Sequence, residues 1–162
     1  MKKFFLIIGF VCLVTACATV STAKEHSTMN KSNGSTEDAQ LVTDRYYELV
    51  GIKGPDEFIV IEPEHGGGGL ISFGSDGTVS ATSGINRGYG QYRYKKLRGN
   101  FDELRISQMG VTLMLGANEQ ENLFDRLFFQ HLNDCKYIQC EGSIIKLYDA
   151  DKTNLLNFYL KK

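Results

Sequence analysis

Short runs in which apolar and polar residues alternate make up most of the chain after residue 40, and one stretch has helical spacing instead. Arg45 to Val50 reads as a first strand, stopped by Gly51 and the Gly54-Pro55 turn. Phe58 to Ile61 is a second, apolar on both faces, followed by a loop from Glu62 to Gly69 that ends in four consecutive glycines. Leu70–Phe73 and Thr78–Ala81 form a hairpin across Ser75-Asp76-Gly77. Tyr89–Tyr94, Glu103–Ser107 and Val111–Met114 continue the strand series. A helix then opens at Asn118, with Glu121 three residues on as a variant capping box and Glu119 adding negative charge at the positive end of the helix dipole. Phe124, Leu127, Phe128 and Leu132 recur at helical spacing and make one apolar stripe, which is read as core. Lys136–Cys140 and Ser143–Tyr148 pair across Glu141-Gly142, which sets Ile138 opposite Ile145 and Cys140 opposite Ser143. Leu156, Phe158 and Leu160 alternate in a closing strand. The predicted class is α+β: a curved antiparallel sheet, a partial barrel, packed on one main helix.

The first forty residues follow different rules. Met1-Lys2-Lys3 is a positive start, and Phe4 to Val14 is apolar apart from Gly9 and Cys12. That run falls short of the roughly 20 apolar residues a membrane span needs and has the length of a signal-peptide core. It closes on Leu13-Val14-Thr15-Ala16-Cys17, which resembles the lipobox of bacterial lipoproteins, where the thiol is acylated and becomes the new N-terminus. The alternative is an ordinary secretory signal cut after Ala18 or Ala23, which discards Cys17. Under the lipobox reading residues 1–16 are removed and Cys17 carries the lipid; one acyl chain holds a protein only marginally, but the resemblance implies about three, which anchor it firmly to a membrane. Ala18 in place of Asp favours the outer membrane by the same resemblance. From Ala18 to about Gln40 the chain is polar and cannot bury enough surface to offset ordering. Residues 17–40 are therefore read as a lipidated, flexible linker of roughly 25 Å reach, and 41–162 as the single domain.

Composition narrows the function classes. The 18 basic and 19 acidic residues give a formal charge of -1, which offers nucleic acid no strong attraction. Cys135 and Cys140 flank a predicted strand that spans about 16 Å, too far for a bridge, so free thiols are expected. His26, His65 and His131 are scattered, and no metal set or nucleophile elbow is found. The glycine run lacks the Lys-Ser/Thr of a phosphate loop. The reading is a non-enzyme without cofactor or metal. His131, near the helix C-terminus, complements the dipole there.

In the middle of the chain Gly84-Ile85-Asn86-Arg87-Gly88-Tyr89-Gly90-Gln91-Tyr92 precedes Thr112-Leu113-Met114-Leu115-Gly116, then Glu121 and Phe124 on the helix and a closing pair of strands. Their order and spacing resemble the META domain, also called the HslJ-like family, over roughly Leu41 to Leu160. The resemblance implies an envelope protein linked to stress, drug tolerance or secretion, a protein-binding or pilotin-like module rather than an enzyme. The other reading is a carrier of a small apolar ligand inside the curved sheet. Many family members carry cysteines where this chain has Ile85 and Gly116; loss of both implies that the two positions face each other. Asn86, Arg87, Tyr89 and Tyr92 are the candidate binding residues, with Asn86 read chiefly as a partner for buried backbone groups. Arg93, Lys95, Lys96 and Arg98, interleaved with Tyr92 and Tyr94, form a basic strand for which anionic lipid headgroups are a more accessible partner than nucleic acid. The ordinary reading of that strand is a solvated charged face, and a monomer is expected.

Overall fold

A computed structural model describes residues 40–62 and 68–162; Cys17, the signal segment, the linker, His26 and His65 lie outside them. Ten strands and one helix follow in the order β1 (Tyr46–Lys53), β2 (Phe58–Val60), β3 (Leu70–Phe73), β4 (Thr78–Thr82), β5 (Arg87–Lys95), β6 (Asp102–Ile106), β7 (Gly110–Val111), α1 (Glu119–Asp134), β8 (Tyr137–Glu141), β9 (Ile144–Tyr148) and β10 (Asn154–Leu160). Every pairing is antiparallel. Around the ring the order is β1-β3-β4-β5-β6-β8-β9-β10, and β10 pairs back onto β1 from Tyr47↔Leu160 to Ile52↔Leu156.

That last pairing corrects the expected partial barrel: the sheet is closed through eight strands. Alternation along each strand shows which face is inside, but it carries no information about whether the first strand meets the last. Two bulges help the sheet curve, one at Val50 in β1 and one at Leu155 in β10. The second explains why Leu155 and Leu156 are both buried although they are adjacent.

Two local expectations also change. Cys140 pairs with Ile145 and Ile138 with Leu147, so the β8–β9 register differs by two residues from the expected one and the turn is Gly142-Ser143. Gly142 takes φ +59, at the first central position where a II′ hairpin places glycine. A shift of two keeps each side chain on its face, so Ile138 and Cys140 still point inward. The expected strand to Met114 stops at Val111.

Helix α1 covers the barrel end at which β1 finishes and β3 and β5 begin. His131 Nε2 lies 2.7 Å from the carbonyl oxygen of Lys53 at the end of β1, so the ring bonds to a strand rather than serving only its own helix end. Phe128 meets Phe158 of β10 edge to face at 6.3 Å between ring centres. Phe129 presses on β5 at Gly88, where a Cβ would come within 2.6 Å of its ring; only glycine admits this approach. Leu49, Ile71, Phe73, Leu104, Leu147 and Leu156 fill the interior, each at most 1% exposed.

Candidate functional site

The conspicuous surface lies beside α1, and its geometry begins with one buried side chain. Asn86, 2% exposed in the turn before β5, uses its full hydrogen-bonding capacity. Its Nδ2 donates to the Met114 carbonyl oxygen at 3.0 Å and to Asp125 Oδ2 at 2.9 Å. Its Oδ1 accepts from Thr112 Oγ1 and from Met114 N, both at 2.8 Å. Ser83 joins the set: its hydroxyl donates to Asp125 Oδ1 and accepts from Asn86 N at 3.1 Å. A turn, a loop and a helix are thus held by one connected polar network.

The consequence is a rigidly presented loop. Thr112 N donates to the Arg87 carbonyl at 3.0 Å, Gly116 N to Asn122 Oδ1 at 2.8 Å, and Ala117 N to Glu121 Oε2 at 2.7 Å. With the backbone so bound, the side chains point to water: Leu113 is 97% exposed, Met114 60% and Leu115 89%. The run from Val111 to Met114 reads as a strand in sequence because nothing local shows that Asn86 replaces a strand neighbour.

Among the candidate binding residues Asn86 belongs to this network, and Arg87 and Tyr89 lie on the outer face of β5. With Tyr46, Leu70, Ser80 and Thr82 they line an open groove of about 310 Å³. Cross-strand register sets Tyr46, Ser72, Ser80 and Tyr89 in one row across four strands. Tyr92 turns the other way. Its ring packs edge to face on Phe73 at 5.0 Å and its hydroxyl donates to the Gly74 carbonyl at 2.9 Å. The structure therefore joins Arg87 with Tyr89, places Asn86 behind them and separates Tyr92.

Sequence reasoning missed Ser83, Thr112 and Asp125. A signal for the last existed: Asp125, Phe128, Phe129 and Leu132 follow i, i+3, i+4, i+7, so a carboxylate interrupts the buried face of α1. Ile85 and Gly116 do face each other, since a Cβ on Gly116 would lie 3.0 Å from Ile85 Cδ1.

At the far end Asp102 is buried, and burial pushes its carboxyl upward. Hydrogen bonds from Tyr94 Oη at 2.6 Å and Leu97 N at 2.9 Å, with the Lys96 ammonium at 3.5 Å, hold it below the usual range nonetheless. Cys135 and Cys140 are both free thiols. Among the described residues no group of three or more His, Cys, Asp or Glu side chains is placed to hold a metal ion.

A family model described as META domain matches residues 39–162. No curated protein matches the chain. Of solved structures, a protein from Burkholderia xenovorans studied by NMR is similar in fold, with 18% identity, a TM-score of 0.55, and 74% of this chain and 83% of that one covered. A DUF4847 family protein from Bacteroides vulgatus is 14% identical, with a TM-score of 0.49 over 71% of this chain and 91% of that one.

Proposed function

The chain belongs to the META domain family, and on that premise we propose that it is a non-enzymatic, lipid-anchored module of the cell envelope that binds a protein partner through the Leu113-Met114-Leu115 loop. One observation carries the partner: three consecutive apolar side chains stand in water on a backbone that is fixed at both ends. A run of that kind is unfavourable on a free surface unless something covers it. Exposed carboxylates of Glu119 and Glu121 border the loop at the start of α1, which favours a protein groove over an anionic bilayer. Pilotin-like escort of an outer-membrane protein is the form the family resemblance suggests, and the linker after Cys17 supplies reach.

A photo-crosslinking residue at position 113 tests this in intact cells, with Gln130 on α1 as the control site. The expected result is a discrete protein adduct from 113 alone, lost when Leu115 is changed to Asp. Adducts shared with the control, or with lipid only, overturn it. Acylation is read separately with a clickable fatty acid, which should label the wild type and not Cys17→Ser. The carrier reading requires open space between sheet and helix; Phe128, Leu132, Leu104 and Phe158 occupy that space, each 0% exposed.

A further inference from the structure

Like charges placed directly opposite on an antiparallel ladder repel and weaken it. Arg93 of β5 stands directly opposite Arg105 of β6, and both are exposed on the outer face. Lys95 follows on β5, and Lys96 and Arg98 extend the charge through the β5–β6 connection. Carboxylates counter part of this charge: Asp102 holds Lys96 at 3.5 Å, and exposed Asp44 lies at the β3–β4 turn. Glu103 pairs with Arg105 at 2.5 Å and Asp76 lies across the groove, its carboxylate oxygen engaged by Thr78 N at 2.9 Å and Thr78 Oγ1 at 2.6 Å. The groove along this row, lined by Gln91, Arg93, Arg105 and Ser107, has a volume of about 410 Å³. The Ser107 hydroxyl is spent on the Gln91 backbone, donating to its carbonyl and accepting from its N–H, both at 3.0 Å, so the two guanidinium groups and the Gln91 side-chain amide are what a phosphate would meet, through forked, charge-assisted hydrogen bonds.

The chain's path indicates where such a phosphate would come from. Asp44 N donates to the Phe73 carbonyl at 2.8 Å, and Asp44 Oδ1 accepts from Ser75 N at 3.0 Å. The polypeptide therefore joins the barrel at the β3–β4 turn, whose Asp76 and Gly77 form one wall of the same basic groove. Exposed acidic side chains occur at both ends, Asp44, Asp76 and Glu141 at this one and Asp56, Glu57, Glu119 and Glu121 at the end that α1 covers. The apolar loop is also at that end. The first described residues thus meet the barrel on the side of this groove at Asp44, and the loop lies at the other end.

We propose that the Arg93–Arg105 face binds the phosphates of anionic phospholipid headgroups and so turns the Leu113–Leu115 loop away from the bilayer. The inference rests on the envelope reading above, which supplies the bilayer. Flotation of the unacylated chain from Ala18 onward with vesicles tests it. Binding is expected on phosphatidylglycerol-containing vesicles and not on pure phosphatidylcholine. It should fall about thirty-fold in Arg93→Gln/Arg105→Gln, as two lost juxtamembrane charges imply. The melting temperature of that variant should hold or rise, because the opposed charges are gone; lost binding with a retained fold is the signature. A dye on Leu113→Cys should stay in water on bound vesicles. Equal binding to both vesicle types, an unaffected variant, or a dye that enters lipid overturns the proposal. So does wild-type binding of inorganic phosphate in the absence of vesicles that is tighter than its binding to phosphatidylglycerol vesicles, which would assign the groove to a soluble phosphate. Because the chain carries no acyl group here, failure in this assay concerns the headgroup face alone, whereas absent labelling of Cys17 concerns the anchor.

Discussion

Asn86 is the residue on which the exposed loop depends. Its amide supplies both a donor and an acceptor to Met114, and its Nδ2 meets Asp125 on the helix. Asn86→Ala leaves these groups without partners at a site where water enters poorly. A loss of about 2–3 kcal/mol is expected, read by denaturant unfolding. The Met114 amide should also exchange with deuterium much faster, because the loop loses its clamp; unchanged protection would show that the loop holds itself. Part of this was legible in the sequence. An Asn in a Gly-rich turn implies satisfied backbone groups, and that is its role. Which groups it satisfies was not legible, because Thr112 and Met114 are 26 and 28 residues away and the contact exists only when the barrel brings β5 beside β7.

Among the elements, α1 is the one most plainly written in the chain. Asn118 caps it, with Oδ1 accepting from Glu121 N at 2.9 Å, and Phe128 and Leu132 of the expected stripe are fully buried. The hairpins were legible in face but not fully in register, since a two-residue slip leaves the alternation of β8 and β9 unchanged. The Ile85 turn and the Gly116 loop meet as the family's missing cysteine pair implies. An Ile85→Cys/Gly116→Cys chain is therefore expected to oxidise to an intramolecular disulfide, visible as a loss of two hydrogens in the intact mass. By loop-closure entropy it should gain about 4 kcal/mol, less any strain where Glu121, 2.7 Å from the added Cβ, has to move. Thiols that stay reduced under air would show that the two backbones are too far apart.

At the scale of the molecule, closure of the barrel places ionisable groups where charge is costly. Burial pushes the Cys135 thiol to about 12 and the Cys140 thiol to about 11, and by the same desolvation it raises the phenols of Tyr47, Tyr92 and Tyr94. Each folded value lies above the unfolded one, so the neutral form is favoured in the native state. That stabilisation is complete below the ordinary thiol value of 9.0 and is lost as pH rises through the folded values. The melting temperature should hold level from neutral pH to about 8.5 and fall progressively above it. In Cys140→Ala the decline between pH 9 and 11 should be shallower; an identical slope would mean that the thiol stays neutral to the point of unfolding.

Short-range chemistry determined a good deal without coordinates: the one capped helix, the β3–β4 hairpin at Ser75-Asp76-Gly77, the inward face of most strands and the family. These depend on neighbours within a few residues, and periodicity and turn preference record such neighbours directly. Tertiary structure alone decided that β10 returns to β1, that Thr112–Leu115 ends as an exposed loop, and that Arg93 opposes Arg105. Each of those joins residues far apart in sequence or turns on which strand is adjacent, and a pattern read along one chain carries no record of its partner.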